Sequence, residues 1–263
     1  MRPLFTIGNK RSGTSHLVKL LNLHPGVFVT HESDIVWILY QAFEGREFRT
    51  YPWDGPLGMN ATLEACHDMI TEAIPDIRKP GLVATTFFRV LARLCSHGSA
   101  VQEVYSKEQL LWMGDKKPVQ QADPDIQPFI HTHFPDARYI HIIRHPSATV
   151  GSMAAAGRSG WANVQYWQGS IGEILERWAI HEEWVLQAKN NSPVLTVRFE
   201  DLTERPSHVM SEVFSFLGLT LSADTAGQIV QSTQAGANEK YKGVELPRLD
   251  RAERIMKMYG YSP

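Results

Sequence analysis

The feature that most constrains the fold is a glycine-containing stretch near the N-terminus. Residues 4–7 are β-forming, residues 8–13 begin and end with glycine, and residues 14–21 place apolar side chains at helical spacing. This order predicts a strand, a tight loop and a helix. Gly8 and Gly13 let backbone N–H groups turn inward, and the helix N-terminus adds a partial positive charge. Such a loop is suited to hold a phosphate group.

The loop departs from the usual nucleotide-binding pattern at one position. The spacing from Gly8 to Gly13 fits a Walker-type loop, but Thr14 stands where that loop carries its lysine. The basic residues lie inside the loop instead, at Lys10 and Arg11. This disfavours a P-loop kinase, because the lysine that bridges its phosphates is missing. A loop that only turns the chain into a helix is the alternative without a ligand.

The overall composition excludes several functional classes. The 263 residues carry a net charge near −2, so there is no global basic field and nucleic acid is not an expected partner. The two cysteines, Cys66 and Cys95, form no C-x-x-C pair, which argues against a zinc site or a disulfide framework. A reduced pair is expected, although one disulfide between them stays open. An anionic ligand must therefore be held by local basic groups.

The sequence contains no recognisable signal peptide or membrane anchor. Residues 1–3 lead directly into the first predicted strand, and no apolar run approaches the roughly 20 residues that span a bilayer. We therefore expect a cytoplasmic protein that folds as one domain over residues 1–263, and the alternative that a membrane anchor has been removed from the sequence stays open.

Strands and helices are predicted to alternate along the chain. Strands are predicted at residues 4–7, 27–29, 110–113, 137–143 and 194–199, and helices at residues 14–21, 35–42, 60–74, 85–97, 122–133, 147–156, 173–189, 206–217, 222–232 and 248–258. The alternation predicts an α/β fold with a central parallel sheet flanked by helices. Arg11, Glu32, Lys116 and Arg144 each follow a predicted strand, so they are expected on one rim, where such sheets bind ligands.

The glycine loop resembles the 5′-phosphosulfate loop of sulfotransferases that use 3′-phosphoadenosine 5′-phosphosulfate (PAPS). The family pattern is a strand, G-x-x-R/K-S-G-T-T/S, a helix and then H-P, and residues 11–15 with residues 24–25 match it. The resemblance implies the P-loop nucleotide-hydrolase-like sulfotransferase fold. It also implies that the phosphosulfate end of PAPS is bound by the loop residues Lys10, Arg11, Ser12, Gly13, Thr14 and Ser15.

A second segment, residues 139–146, resembles the 3′-phosphate motif of the same family. Arg144 ends a predicted strand and Ser152 follows one helical face later. The guanidinium fork suits phosphate oxygens, and the serine hydroxyl adds a donor. The alternative for this segment alone is a surface arginine that caps a turn.

Two further segments extend the resemblance. Residues 112–118 look like the G-x-K-x-P segment, in which Lys116 matches a lysine near the transferred sulfonate, but Lys117 stands where relatives have Thr, Ser or Asp. The catalytic histidine that small-molecule members place just after this lysine is absent. Residues 199–202 match the Y/F-E-D-L segment, where Phe199 occupies the position near adenine. Lys240 and Lys242 match basic residues that cover the cofactor, although a solvated charged segment is equally compatible.

The general base is assigned to Glu32, with His31 as the rival. Glu32 has the spacing from Arg11 and from residues 24–25 at which tyrosylprotein sulfotransferases place their catalytic glutamate. A carboxylate there can take the proton of an acceptor hydroxyl. Neighbours in an extended segment point to opposite sides, so only one of the two is expected to face the site. In the alternative without chemistry, both residues cap the helix that follows.

The resemblance implies a PAPS-dependent sulfotransferase that moves a sulfuryl group in line to a hydroxyl or amine and needs no metal. The acceptor is expected to be a small molecule, a carbohydrate or a peptide, enclosed by the aromatic loops at residues 44–60 and 157–172, and sulfation of any of these is compatible with the sequence. Monomer and homodimer both stay open. Two other functions also stay open: a P-loop kinase of a small substrate and a non-catalytic nucleotide-binding paralogue.

Overall fold

The computed structural model describes residues 1–52, 57–99, 103–107, 109–158, 169–233 and 244–262, without the side chains of residues 57–61. Within these residues the sheet contains the strands β1 (Arg2–Ile7), β2 (Val27–His31), β3 (Trp112–Lys116), β4 (Arg138–Ile143) and β5 (Val194–Arg198). All pairings are parallel and the spatial order is β2-β3-β1-β4-β5. The predicted α/β class with a central parallel sheet is confirmed.

Helices connect and cover these strands. They are α1 (Thr14–Leu21), α2 (Ile35–Glu44), α3 (Leu57–Ala73), α4 (Leu82–His97), α5 (Gln127–His133), α6 (Pro146–Arg158), α7 (Ile171–Lys189), α8 (Phe199–Glu204), α9 (Pro206–Phe216), α10 (Ala223–Ser232) and α11 (Asp250–Met258). Short 3-10 turns lie at Ile74–Asp76 and Gln120–Ala122. The helices lie on both faces of the sheet, because a parallel sheet is stable only when both faces are covered.

Alternation along the strands sends apolar side chains to opposite faces. In β1, Phe5 packs in the cluster formed with α2, α4 and α5, whereas Leu4 packs in the cluster formed with α1, α9 and α10. β2 repeats the pattern with Phe28 on the first face and Val29 on the second. A third apolar cluster lies between α6, α7 and α11. The apolar residues are thus used in packing, and the carboxyl ends of the strands carry the polar groups.

Several element boundaries differ from the predictions, among them those of β3, α5 and β5. β3 begins at Trp112 and continues through Lys116, because the predicted turn residues 114–116 instead form a fully buried strand end. A Cβ on Gly114 would lie 1.6 Å from the Leu4 carbonyl oxygen, so only glycine fits there against β1. α5 begins at Gln127, after the 3-10 turn. Phe199 begins α8 and does not end β5, since the backbone turns helical at that residue.

Cys66 and Cys95 are both buried and unbridged, as expected for a reduced pair. Among the described helices, none combines the length and the apolar character that a membrane crossing requires.

Candidate active site

A cleft of about 440 Å³ opens at the carboxyl edge of the sheet. The strand ends predicted to share one rim do so: Arg11 follows β1, Glu32 follows β2, Lys116 ends β3 and Arg144 follows β4. The cleft is lined by Lys10, Arg11, Gly13, Thr14, Ser15, His16, His31, Glu32, Pro118, Arg144 and Phe199. Its basic side chains outnumber its one carboxylate, which favours an anionic ligand.

The loop between β1 and α1 depends on its two glycines. Gly8 has φ +151°, and a Cβ there would lie 2.4 Å from the Ile142 carbonyl oxygen. Gly13 has φ +98°, and a Cβ would lie 2.3 Å from the ring of Phe199. Arg11 also adopts a positive φ of 65°, a strained conformation of the kind found at ligand-binding loops. The loop therefore packs directly against β4 and against the aromatic residue that begins α8.

The start of α1 points backbone donors at the cleft. The helical ladder begins when Leu17 N–H donates to the Gly13 carbonyl at 3.0 Å. The N–H groups of Thr14, Ser15 and His16 precede that bond, so the helix N-terminus forms an anion-binding end. Ser12 behaves differently, because its hydroxyl and its N–H both donate to the Asn9 carbonyl, at 2.6 and 3.2 Å. Its buried side chain braces the loop from within.

A buried polar network supports the loop from below. The Asn9 amide donates to Glu182 Oε1 at 2.7 Å and to the Trp178 carbonyl at 3.1 Å, both on α7. The second oxygen of Glu182 lies 3.1 Å from His141 Nε2, and both side chains are fully buried. His181 Nδ1 lies 3.2 Å from Asn9 Oδ1. Burial, reinforced by nearby positive charges, lowers the pKa of His181 to about 3, so this imidazole is neutral.

The predicted 3′-phosphate residues contact the predicted 5′-phosphate loop. Arg144 is 7% exposed, its Cζ lies 4.6 Å from the Phe199 ring centroid, and its Nη1 donates to the Arg11 carbonyl at 3.2 Å. Arg11 Nε in turn donates to Ser152 Oγ at 3.1 Å. Four residues that the sequence assigns to one cofactor therefore form a continuous group along one side of the cleft.

Glu200 connects the segment after β4 to Tyr261 through two hydrogen bonds. Its Oε1 accepts from the His145 N–H at 2.9 Å, near the start of α6, and its Oε2 accepts from the Tyr261 hydroxyl at 2.6 Å. Tyr261 was not predicted as a site residue, because no motif surrounds it in the sequence. Glu200 thus ties the end of the chain to the strand end that carries Arg144.

On the opposite side of the cleft, Lys116 lies at the centre of a polar cluster. Its Nζ donates to Glu32 Oε1 at 2.6 Å and to Ser15 Oγ at 3.3 Å, and it lies 3.3 Å from His31 Nε2. The expectation that only one of His31 and Glu32 would face the site is wrong, because both line the cleft. Glu32 has φ +56°, so the backbone leaves the extended conformation there and the strand alternation ends.

Burial and charge set the protonation states of this cluster. Burial alone raises the pKa of Glu32, but the ammonium groups of Lys116 and Lys117 outweigh it and lower that pKa to about 2. Burial lowers the pKa of Lys116, although Glu32 opposes the shift. Burial and the Lys116 charge lower the pKa of His31. Glu32 is therefore a carboxylate and His31 a neutral imidazole at neutral pH.

The turn that carries Glu32 rests on a second buried network. Asp115 accepts from Thr30 Oγ1 at 2.5 Å, from Ser33 Oγ at 2.7 Å and from Gln121 Nε2 at 2.7 Å. Asp115 was not predicted as a site residue, because the sequence places it in a predicted turn and only the structure shows it at the buried end of β3. The neighbouring Lys117, noted only as a departure from the family pattern, is buried with Asp34.

Some predicted elements of the site lie partly or wholly outside the described residues. Two hydrogen bonds join residues 45–52 of the first predicted loop to other parts of the chain. The Arg49 carbonyl accepts from Trp37 Nε1 at 2.5 Å, and the Tyr51 hydroxyl donates to Asp123 at 2.5 Å. Residues 53–56, most of the second loop (159–168), and the segment 234–243 with Lys240 and Lys242 are not described. Within the described ranges, no cluster of three or more His, Cys, Asp or Glu side chains is arranged to hold a metal ion.

Comparison with known proteins agrees with this geometry. The sequence matches the profile of the sulfotransferase family over residues 3–223. No curated protein sequence matches the chain.

Solved structures share its fold at low sequence identity. The sulfotransferase domain from the curacin biosynthetic pathway is 16% identical with a TM-score of 0.68, covering 100% of this chain and 99% of that one. The sulfotransferase domain of the Synechococcus PCC 7002 olefin synthase is 19% identical with a TM-score of 0.67, covering 100% and 96%. A sulfotransferase from Mycobacterium avium is 16% identical with a TM-score of 0.54, covering 98% and 76%. The profile match spans most of the chain and the sheet has the same fold, so the chain belongs to the sulfotransferase family.

Proposed function

We propose that the chain transfers the sulfuryl group of PAPS to a hydroxyl or amine of an acceptor. One observation carries the proposal: a single cleft has an anion-binding loop with Arg144 on one side and the Lys116–Glu32 pair on the other. A bisphosphorylated donor needs the first side, and proton removal from an acceptor needs the second. The cleft volume is within the usual range for small-molecule sites.

The donor is held by charge and by backbone donors. The α1 N-terminus with Lys10, Arg11, Thr14 and Ser15 would bind the phosphosulfate end, while Ser12 and Gly13 shape the loop. Arg144 and Ser152 would bind the 3′-phosphate, and Phe199 would lie against the adenine. Lys240 and Lys242 stay a prediction for the cover of the site. Arg11 connects both ends, since it contacts Ser152 and its carbonyl accepts from Arg144.

Glu32 is the proposed general base. Paired with Lys116, its pKa of about 2 makes it a weak base. When Lys116 turns its ammonium to the sulfonate of the donor, Glu32 loses its nearest positive charge and its pKa rises. The residue then accepts the acceptor proton as the new S–O or S–N bond forms. His31 is the alternative base, because its imidazole is neutral and lies in the same cleft.

Lys116 and Arg11 are proposed to stabilise the developing charge. In an in-line transfer, negative charge grows on the bridging oxygen as the bond from sulfur to the donor phosphate breaks. Cations fixed in a partly buried site stabilise that charge strongly, because water does not screen them. Lys116 has a fully buried side chain. The acceptor would approach from the side of Glu32 and Pro118, and a small molecule, a carbohydrate and a peptide are all proposed classes.

Calorimetric titration distinguishes this function from the alternatives. Adenosine 3′,5′-bisphosphate (PAP), the desulfated product, is expected to bind more tightly than ADP with Mg²⁺, and substitution Arg144→Ala should abolish the preference. Stronger binding of ADP with Mg²⁺ would instead indicate a kinase. Labelled PAPS is then incubated with a panel of hydroxyl and amine acceptors, with Glu32→Gln as the control. Tight PAP binding without transfer or hydrolysis of PAPS would indicate a nucleotide-binding paralogue.

A further inference from the structure

Two consecutive lysines at the end of β3 each hold one carboxylate of the turn at residues 32–34. Lys116 Nζ lies 2.6 Å from Glu32 Oε1, and Lys117 Nζ lies 2.9 Å from Asp34 Oδ2. The two pairs differ in exposure. The Glu32 side chain is 38% exposed at the cleft, whereas the side chains of Lys117 and Asp34 are only 3% and 2% exposed.

The turn needs external support because its backbone is strained. Glu32 and Asp34 both have φ +56°, a region that residues with a side chain rarely adopt. Strained conformations persist only when the surrounding structure holds them, and they concentrate at functional sites. The turn is also tied by the bond from Glu32 N–H to the Lys116 carbonyl at 2.8 Å. The conformation that brings Glu32 into the cleft is therefore imposed by contacts with the end of β3.

Of the two lysines, only Lys116 can leave its carboxylate for the donor during the reaction. Lys116 also contacts Ser15 of the phosphate loop, so its ammonium already lies between the base and the donor side. Turning toward the donor removes the tether of the Glu32 carboxylate. Lys117 has no such option, because it is buried on Asp34, whose other oxygen accepts from Gln120 Nε2 at 3.0 Å.

We infer that the buried Lys117–Asp34 pair is a positioning device that keeps Glu32 aimed at the acceptor after Lys116 has moved to the donor. This inference rests on the proposed function. Neither residue touches the reacting atoms. The pair fixes the backbone of the turn, and the Lys117 ammonium also lowers the pKa of Glu32, so the position of residues 32–34 in a crystal structure is the readout specific to positioning. A buried ion pair is in itself weak evidence for stability, since apolar or neutral replacements are often tolerated. The observation that points to positioning is the place of the pair, two residues from Glu32 on the same strained turn.

The test separates positioning from stability with two single variants, a double variant and a control. Lys117→Met and Asp34→Asn each leave one buried partner uncompensated, whereas the double variant removes both charges and keeps a polar group for Gln120. The control is Val213→Ala, a fully buried position in α9 that lies in the apolar cluster on α1, α9 and α10. Melting temperatures measure how much stability the control and the double variant each lose, so that an effect of lower stability can be separated from an effect on the turn.

Three readouts follow on each protein. The first is the Kd for PAP by calorimetry. The second is single-turnover hydrolysis of PAPS with water as the acceptor: the S–O bond to the donor phosphate breaks, a bond to the water oxygen forms, and Glu32 takes the proton, giving sulfate and PAP. The third is the crystal structure of the PAP complex, which reports the position of residues 32–34. No knowledge of the natural acceptor is needed.

We expect the double variant to bind PAP with an unchanged Kd and to hydrolyse PAPS about 10- to 100-fold more slowly, the penalty of a misplaced catalytic group. The turn should be displaced in its PAP complex, while the control keeps both the rate and the turn. A double variant with the rate and turn of the wild type would overturn the inference. If Glu32→Gln hydrolyses PAPS as fast as the wild type, the base assignment fails instead. In that case the crystal structures alone decide whether the Lys117–Asp34 pair positions residues 32–34. A displaced turn in the double variant supports the positioning role, and an undisturbed turn overturns it.

Discussion

The role of Arg144 can be measured by comparing two ligands that differ by one phosphate. PAP carries a 3′-phosphate and adenosine 5′-monophosphate (AMP) does not, and Arg144→Ala removes the side chain proposed to bind that group. Arg144 is 7% exposed, stacks 4.6 Å from the Phe199 ring centroid and donates to the Arg11 carbonyl at 3.2 Å. It therefore has one role toward the ligand and one toward the loop.

Arg144→Ala is expected to reduce the binding free energy of the two ligands by different amounts. Hydrogen bonds to charged groups contribute about 1.5–3 kcal/mol each, so losing a forked contact to the 3′-phosphate should weaken PAP binding by about 3 kcal/mol, or roughly 150-fold. AMP loses only the brace on the loop, a single bond to a backbone carbonyl, for about 1 kcal/mol or roughly 5-fold. PAP loses this brace in addition to the forked contact, so the brace cancels in the ratio and the preference for PAP over AMP should fall by roughly 150-fold.

Isothermal calorimetry at fixed ionic strength measures both affinities in the wild type and in the variant. Arg144→Lys is the matched control, because it keeps the positive charge and loses the fork, and it should give an intermediate preference for PAP. Melting temperatures without ligand report any damage to the loop. Equal weakening of PAP and AMP by Arg144→Ala would refute the assignment, since it would mean that Arg144 acts only through the fold.

Three further predictions concern stability. Glu32→Gln should lower the free energy of unfolding at pH 7, because the buried Lys116 ammonium loses its carboxylate. The difference in unfolding free energy between the wild type and the variant should narrow as the pH falls from 4.5 to about 2, because wild-type Glu32 also loses its charge there. A difference that does not depend on pH in urea unfolding would contradict this prediction. Gly13→Ala combines φ +98° with a Cβ 2.3 Å from an aromatic carbon, so a loss of about 2–4 kcal/mol is expected by thermal unfolding. Gly227→Ala, in open space on α10, should not destabilise the fold, and equal shifts for both would be inconsistent with the steric argument. Because the pKa of His181 is about 3 in the fold and 6.5 unfolded, stability should decline as the pH falls from 6.5 towards 3, and His181→Asn should flatten that decline. If the unfolding free energies of the wild type and of His181→Asn change with pH in parallel, that result would argue against a neutral His181.

The fold class and the family were both predictable, because their signals are local. A strand, a glycine loop and a helix follow each other within residues 2–21, and no distant residue is needed to recognise them. Placing charged residues just after strands also predicted a shared rim, since parallel strands end at the same edge. The prediction was less accurate where burial overrides local preference, as in β3, whose last residues resemble a turn and form a buried strand end.

The sequence by itself determined which chemical groups this protein carries and the edge of the sheet at which they lie. Only the tertiary structure decided their partners and their orientation. Asn9 contacts Glu182 across 173 residues of sequence, and Lys117 contacts Asp34 only because β2 and β3 are neighbours in the sheet. The positive φ of Glu32 brings two successive side chains into one cleft. Such pairings depend on strand order and backbone strain, which arise from packing over the whole chain and leave no local pattern in the sequence.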